Sequence, residues 1–283
     1  MTPTREGERT AGSALLEVRG LTKRFSHGAV TAAADISFSI ERGGALGIVG
    51  ESGSGKTTVS RIVAGLESSD AGEILVDGAP LPHGRGVRQR MARARTMQMV
   101  FQDPYQSLDP RQSAREALGE IITLHTSRRG QDRAARIAEL LDQVGLDGAA
   151  AGRMPRDLSG GQRQRVAIAR ALAAEPELLI LDEAVAALDV SIQAQILRLL
   201  DGIRRETGVA LMFVSHDLEV VRWITDDVLV MFRGHAVEAG RTEAVLAAPN
   251  HPYTRLLLAS VPTLDWNPRA VADARREFIA ASG

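Results

Sequence analysis

The sequence lacks several features that would point to particular classes of protein. None of its 283 residues is a cysteine, which excludes disulfide bonds and thiolate metal sites. No stretch approaches the roughly 18 consecutive apolar residues of a membrane-spanning helix, so we expect no span in this chain. Residues 1–13 are polar and lack the apolar core of a secretory signal, which predicts a mobile tail on a cytoplasmic protein.

Excess charge of one sign is also missing. The net charge of −1 gives no reason to expect nucleic acid or an anionic membrane as the main partner. Lysine is scarce: Lys23 and Lys56 are the only lysines among 34 basic residues. The hydrophobic content of 44% is that of an ordinary globular protein, with length enough for one large domain or two smaller ones.

One glycine-rich stretch fits the phosphate-binding pattern G-x-x-x-x-G-K-[ST] and consists of Gly50, Glu51, Ser52, Gly53, Ser54, Gly55, Lys56 and Thr57, followed by Thr58. A short apolar run precedes it and a helical apolar pattern follows it, so a flexible glycine turn is the weaker interpretation. Glycines let backbone N–H groups cradle phosphate oxygens. Lys56 would bridge the terminal phosphates, and the Thr57 hydroxyl would bind Mg²⁺. The motif predicts a nucleotide site.

Three segments beside this motif alternate apolar and polar residues: 15–19, 35–40 and 73–78. Alternation of this kind predicts half-buried antiparallel strands, which would form a small sheet flanking the nucleotide. Phe25 lies on a connection between such strands. Its ring either stacks on an adenine face or only packs against the protein.

The middle of the chain changes to a helical pattern. Residues 80–95 are rich in arginine and predict a solvated face or loop. The segment 97–104 predicts a strand that ends in polar residues, Gln102 among them, and a proline. The apolar spacing then becomes helical over 114–144. We expect an inserted helical region within an α/β domain.

Ser159, Gly160, Gly161 and Gln162 open a further predicted helix. Ser159 and Gln162 have the spacing of a capping box. Two glycines in a first turn are poor for helix stability, but they leave N–H groups bare for an anion. The alternative is a simple helix start.

Two buried strands are predicted to end in polar side chains. The run 177–183 ends in Asp182 and Glu183, and the run 209–214 is followed by His216. Ligands gather beyond the carboxyl ends of parallel strands. Asp182 would hold Mg²⁺, Glu183 would orient or deprotonate an attacking water, and His216 would either contact the phosphates or be structural.

Together these residues resemble the ATP-binding subunits of ABC transporters over nearly the whole chain. Beyond the phosphate loop, the residues that carry the resemblance are Gln102 (Q-loop), Leu158–Gln162 (LSGGQ), Asp182 and Glu183 (Walker B), Asp189 (D-loop) and His216 (switch). The resemblance implies catalytic roles for Glu183, His216 and Gln102, with Gln102 also on Mg²⁺. It implies two cassettes pairing head to tail, with ATP between the phosphate loop of one and Ser159–Gln162 of the other.

The resemblance further implies an α/β P-loop NTPase fold of ABC type: a mainly parallel sheet core flanked by helices, a small antiparallel β subdomain and an inserted α-helical subdomain. We expect an ATPase domain over 14–247, with its helical subdomain at about 103–172. A C-terminal element at 248–262 and a tail at 263–283 would follow. ATP and Mg²⁺ are the implied cofactors.

Other polypeptides would have to supply the membrane part. The expected partners are a second ABC ATPase subunit, two transmembrane permease subunits and, indirectly, an extracytoplasmic solute-binding protein. We expect no nucleic acid. The expected location is the cytoplasmic face of the cell membrane.

Two stretches, 101–111 and 249–257, resemble the oligopeptide, dipeptide and nickel importer branch. The His251-Pro252-Tyr253 step also predicts a turn before a helix, and we interpret it as a family mark rather than as chemistry. The chain departs from the family pattern at Ala184-Val185-Ala186, at Phe25 in place of tyrosine and at Asp109 in place of asparagine, and it lacks the cysteines of some relatives.

Two other functions remain open from the residues: another ABC ATPase, such as an exporter or non-transport subunit, and a nucleotide sensor without turnover. The single cassette and the absence of a long coiled-coil insertion argue against translation and repair types. Glu183 and His216 argue against a sensor.

Overall fold

The computed structural model describes residues 14–82, 86–261, 271–272, 274–276 and 278–279. The predicted tail at 1–13 lies outside the described residues, as does most of the predicted tail at 263–283. The strands are β1 (Ala14–Phe25), β2 (Val30–Glu41), β3 (Ala45–Val49), β4 (Ala71–Val76), β5 (Ala79–Pro80), β6 (Met97–Val100), β7 (Leu178–Asp182), β8 (Ala210–Ser215), β9 (Asp227–Phe232) and β10 (His235–Arg241). The α-helices are α1 (Lys56–Val63), α2 (Val87–Thr96), α3 (Ala114–His125), α4 (Gly130–Gln143), α5 (Gly148–Ala151), α6 (Gly160–Leu172), α7 (Val190–Thr207), α8 (Leu218–Ile224), α9 (Thr242–Ala247) and α10 (Pro252–Ala259).

The central sheet has six strands in the order β10-β9-β3-β8-β7-β6, and only the β10–β9 pair is antiparallel. Strands β3, β7 and β8 are buried along their whole length, as their apolar sequences predicted. Val49 pairs with Ser215, and Asp182 pairs with Val214. This register brings the ends of β3, β7 and β8 to one edge of the sheet.

The second sheet is antiparallel, with four strands in the order β2-β1-β4-β5. The three alternating segments of the sequence all lie in it, although β1 and β2 run longer than predicted and their pairing contains β-bulges. An Asp77-Gly78 turn follows β4, with both residues in the left-handed region. Phe25 is the last residue of β1 rather than part of a free connection.

Helices α3 to α6 lie between β6 and β7 in sequence and form the inserted helical region. Its buried side chains belong to the same hydrophobic core as one face of the central sheet. The mainly parallel core, the small antiparallel sheet and the helical insertion confirm the predicted fold class.

The arginine-rich stretch before β6 differs from its prediction in one respect. Most of it is the exposed helix α2, which agrees with a solvated face, but Arg93 is buried. The Arg93 guanidinium donates to the carbonyl oxygen of Pro82 at 2.7 Å and lies against Gly65. A buried arginine with a backbone partner anchors this helix to the segment that follows β5. Gly84 belongs to the stretch that was predicted as a solvated face or loop, and it lies outside the described residues.

Candidate nucleotide-binding site

The loop between β3 and α1 requires glycine at two positions for steric reasons. Gly50 has φ +150°, and a Cβ there would lie 2.1 Å from the carbonyl oxygen of Met231. Gly55 has φ +105°, and a Cβ there would lie 2.0 Å from the carbonyl oxygen of Ala32. The loop is thus pressed against β9 at one end and against β2 at the other, which fixes its path.

Lys56 is buried beneath this loop. Its ammonium donates to the carbonyl oxygens of Gly50 and Glu51, each at 2.8 Å. Burial lowers the pKa of Lys56, although the negative charges of Glu183, Asp182 and Glu51 oppose the shift. Because burial disfavours the charged form of Lys56, an anion beside the ammonium would stabilise that form. This environment therefore suits a polyphosphate.

The rest of the loop is open to a ligand. Glu51, Ser52 and Gly53 are exposed, whereas Ser54 is buried. The Ser54 hydroxyl has no hydrogen-bond partner within the described residues. Buried hydroxyls normally have partners, so an oxygen-rich ligand fits this site.

Thr57 reaches across to the end of β7. Its hydroxyl donates to Asp182 Oδ1 at 3.2 Å. Burial raises the pKa of Asp182, while the Thr57 hydrogen bond and the charges of Arg61 and Lys56 act in the opposite direction. A buried carboxylate beside a hydroxyl forms a hard oxygen donor set that fits Mg²⁺.

Glu183 has an unusual backbone conformation. Its φ of +49° lies in the left-handed region, and its N–H donates to the carbonyl oxygen of Val214 at 2.9 Å. Its Oε1 lies 3.5 Å from His216 Nδ1. Left-handed non-glycine residues cluster at functional sites. Glu183 follows β7 and His216 follows β8, at the same sheet edge as the loop.

Gln102 lies on a different part of this surface. It is exposed after the end of β6 and lines a groove of about 390 Å³ together with Gly160, Gln164 and Leu188. The buried amide nitrogen of Gln164 has no hydrogen-bond partner within the described residues. This groove runs from the sheet to the first turn of α6.

The first turn of α6 has both hydrogen bonds of the predicted capping box. The Gln162 N–H donates to Ser159 Oγ at 3.2 Å, and the Ser159 N–H donates to Gln162 Oε1 at 3.0 Å. The two glycines differ, however. A Cβ on Gly160 would meet nothing within 4 Å, whereas one on Gly161 would lie 2.7 Å from Ile192 Cγ2. Close packing within the chain therefore explains one glycine, and Gly160 is the one that is free to meet a ligand.

Not all predicted site residues are brought together. Within the described residues, no hydrogen bond or ion pair joins the segment Ser159–Gln162 to the phosphate loop. Asp189 is exposed before α7 and does not cap that helix with its side chain. Phe25 is 38% exposed, and the Lys23 ammonium lies 5.1 Å from its ring centroid.

One residue that contacts the loop was missed as a functional candidate. The Tyr253 hydroxyl accepts a hydrogen bond of 2.9 Å from the Glu51 N–H. The sequence contained a signal, the His251-Pro252-Tyr253 step, but we interpreted it only as a family mark. The contact joins residues 202 positions apart in the sequence, and no local pattern predicts it.

Sequence comparisons identify two regions in this chain. The profile described as "ABC transporter" matches residues 33–186, more than half of the chain. The profile described as "Oligopeptide/dipeptide transporter, C-terminal region" matches residues 237–279. Both agree with the resemblance drawn from the motifs.

Curated relatives cover most of the chain. The oligopeptide transport ATP-binding protein OppF of Bacillus subtilis is 43% identical over 255 residues, which cover 89% of this chain and 83% of that protein. The probable peptide ABC transporter ATP-binding protein y4tS of Sinorhizobium fredii is 45% identical, with 89% and 74% covered. The glutathione import ATP-binding protein GsiA of Escherichia coli is 45% identical over 90% of this chain but only 42% of its own length.

Solved structures share the fold. CbiO1 from Clostridium perfringens, part of the ABC transporter complex cbiONQ, superposes with a TM-score of 0.75 at 30% identity, covering 83% of this chain and 92% of that chain. The ATP-binding cassette MJ0796, solved as a dimer in a post-hydrolysis state with ADP and Pi, gives 0.72 at 29% identity, with 80% and 98% covered. The chain therefore belongs to the ABC transporter family, as an ATP-binding and ATP-hydrolysing subunit that carries the oligopeptide/dipeptide transporter C-terminal region.

Proposed function

We propose that this chain powers the import of peptides, as one ATPase subunit of a membrane transporter. The observation that carries the proposal is that one chain joins a phosphate loop built around Lys56 to the C-terminal region of oligopeptide/dipeptide transporters. OppF is named for oligopeptide transport and GsiA for glutathione import; both substrates are peptides, which supports this substrate class.

ATP binds along the loop in this proposal. Lys56 neutralises the terminal phosphates, and backbone N–H groups with the side chains of the segment 51–58 hold the phosphate oxygens. Two observations support this arrangement: burial lowers the pKa of Lys56, and the Ser54 hydroxyl has no hydrogen-bond partner among the described residues. Phe25 stacks on the adenine, which its partial exposure at the end of β1 permits.

Thr57, Asp182 and Gln102 are the residues that would hold Mg²⁺. The contact between Thr57 and Asp182 supports two members of this set. When bound, the ion neutralises charge on the β- and γ-phosphates. Asp182 must be ionised to serve as a ligand; burial raises its pKa, and the Thr57 hydrogen bond and the positive charges of Arg61 and Lys56 oppose that shift.

Glu183 orients and deprotonates the attacking water, and His216 contacts the γ-phosphate. Support comes from their common position beyond the ends of β7 and β8 and from the 3.5 Å between Glu183 Oε1 and His216 Nδ1. The Glu183 side chain is 22% exposed, so a water can reach its carboxylate.

Ser159, Gly160, Gly161 and Gln162 complete the ATP site of a second cassette, with Asp189 at the same interface. In the part of the chain that the structure describes, these residues make no hydrogen bond to the phosphate loop, and the open space at Gly160 leaves room for a partner's ligand. The dimeric state of the MJ0796 cassette supports such pairing.

The membrane part of the proposed importer consists of two permease subunits, with an extracytoplasmic binding protein delivering the solute. No helix in the described residues combines the length and apolarity needed to cross a bilayer. We place the chain at the cytoplasmic face of the cell membrane, held there by the permeases.

Uptake measurements test this function. Cells that lack the chain are complemented with the wild type or with Lys56→Ala and supplied with labelled tripeptides, labelled glutathione or Ni²⁺ in separate arms. Peptide uptake that depends on the wild type alone supports the proposal. Uptake of Ni²⁺ without uptake of either peptide, or uptake of none of the three substrates, contradicts it.

Lys56→Ala is expected to weaken ATP binding about ten- to hundred-fold, because it removes a charged donor worth about 1.5–3 kcal/mol. Titration with a fluorescent ATP analogue measures the change. Arg88→Ala, on the exposed helix α2, removes the same charge elsewhere and should leave the affinity unchanged. Equal affinity in Lys56→Ala and the wild type would show that the loop does not bind phosphate.

A further inference from the structure

The Tyr253 side chain is 1% exposed, and its hydroxyl contacts the phosphate loop. Its ring packs against Phe232, with centroids 4.4 Å apart, and against Phe278, with centroids 5.7 Å apart. A buried phenol costs free energy unless its hydroxyl finds a partner. The Glu51 N–H supplies that partner at 2.9 Å, so the position of the hydroxyl is fixed by both packing and hydrogen bonding.

The segment leading to Tyr253 is built to hold it in place. The Glu238 carboxylate on β10 accepts hydrogen bonds from the Asn250 N–H at 2.7 Å and the His251 N–H at 3.2 Å. His251 Nδ1 then accepts from the Tyr253 N–H at 3.1 Å and caps α10, with Pro252 as the first helical residue. The His-Pro-Tyr step therefore has a physical role: it starts a helix so that Tyr253 enters the core beside the loop.

The contact acts on one particular peptide group. The Gly50–Glu51 peptide offers the Gly50 carbonyl oxygen to the Lys56 ammonium and the Glu51 N–H to the Tyr253 hydroxyl. Lys56 is the group that is expected to serve the phosphates when ATP binds. Tyr253 holds the same peptide from the opposite side and does not depend on what Lys56 contacts.

We infer that Tyr253 is a positioning residue for ATP binding, which holds the first peptide of the phosphate loop in its binding conformation. The inference rests on the assignment of the loop 50–57 as the phosphate site under the proposed function. Ordering a loop before its ligand arrives removes part of the free-energy cost of binding. The C-terminal region thus contributes to nucleotide affinity as well as marking a branch of the family.

Tyr253→Phe tests the inference, since it keeps the ring and its packing and removes only the hydroxyl. We expect the Kd and the KM for ATP to rise about three- to ten-fold, the range that one neutral hydrogen bond carries, with kcat within about two-fold of the wild type. Amide hydrogen exchange in the nucleotide-free protein should become faster at Glu51.

Thr254→Val is the matched control. Thr254 is the next residue of α10 and fully buried, and its hydroxyl has no hydrogen-bond partner within the described residues. Removing this hydroxyl should leave the ATP affinity and the Glu51 amide exchange unchanged. A Tyr253→Phe variant that is less stable but keeps wild-type ATP affinity and exchange would reduce Tyr253 to a packing residue and overturn the inference.

The same titration separates this inference from the proposed function. If the wild type binds ATP and Tyr253→Phe binds it equally well, the inference fails and the proposed function stands. If the wild type does not bind ATP, both are overturned.

Discussion

Glu183→Gln is expected to lower the kcat for ATP hydrolysis by about 10²- to 10⁴-fold, the range typical of a lost general base, with the Kd for ATP almost unchanged. Glutamine has nearly the size of glutamate, so the turn held by the Glu183 N–H on the Val214 carbonyl should persist. The amide cannot take a proton from water. Steady-state ATPase assays of the transporter assembled with its permease subunits measure the effect, and titration with ATP separates binding from turnover.

Glu177→Gln is the matched control for this variant. Glu177 lies just before β7, at the opposite end of that strand from Glu183, and its carboxylate pairs with Arg42 on the surface at 2.7 Å. Exposed ion pairs contribute little, so Glu177→Gln should keep wild-type turnover. An ATPase rate in Glu183→Gln within about three-fold of the wild type would exclude Glu183 as the base and make His216, 3.5 Å away, a candidate for that role.

The edge of the sheet that carries these groups was predictable because its causes are local. Apolar runs predicted β3, β7 and β8, and parallel strands end at one edge of a sheet, so Gly50, Glu183 and His216 had to come close together. The capping box at Ser159 was predictable for a similar reason, since it depends on a spacing of three residues. The geometry of such motifs is set by residues that are close together in the sequence.

The features that could not be predicted depend on contacts between distant segments. Nothing near Gly161 in the sequence indicates that Ile192 occupies the space of its missing side chain. Nothing near Glu51 indicates that a tyrosine 202 positions later accepts its N–H. The conformation of Glu183 likewise depends on its hydrogen bond to β8, a strand that lies about thirty residues further along the chain.

The difference between the two signature glycines changes how the signature is best tested. Aspartate at Gly161 would complement the helix dipole in the first turn of α6. In the structure, any Cβ at Gly161 meets Ile192 at 2.7 Å. That variant would disturb the packing of α6 on α7, and a loss of dimerisation would have two explanations.

Gly160→Asp avoids this ambiguity. A Cβ at Gly160 meets nothing within 4 Å, and the first helical position tolerates an acid. The folded monomer should therefore keep its melting temperature and its ATP affinity. If Gly160 faces the γ-phosphate held by a second cassette, the new carboxylate opposes like charge there, which costs several kcal/mol. Association driven by ATP should then weaken by at least about 100-fold.

Light scattering measures this association, with every variant made in the Glu183→Gln background. One sample contains the chain alone, and a second contains the chain mixed with the ATPase subunit that copurifies with its permeases. Gly160→Ala adds a Cβ without charge, so it should weaken association far less than Gly160→Asp, and the difference between the two variants isolates the electrostatic part. Association of Gly160→Asp equal to that of its parent would mean that no phosphate approaches Gly160. The capping box of Ser159 and Gln162 would then serve only to start α6.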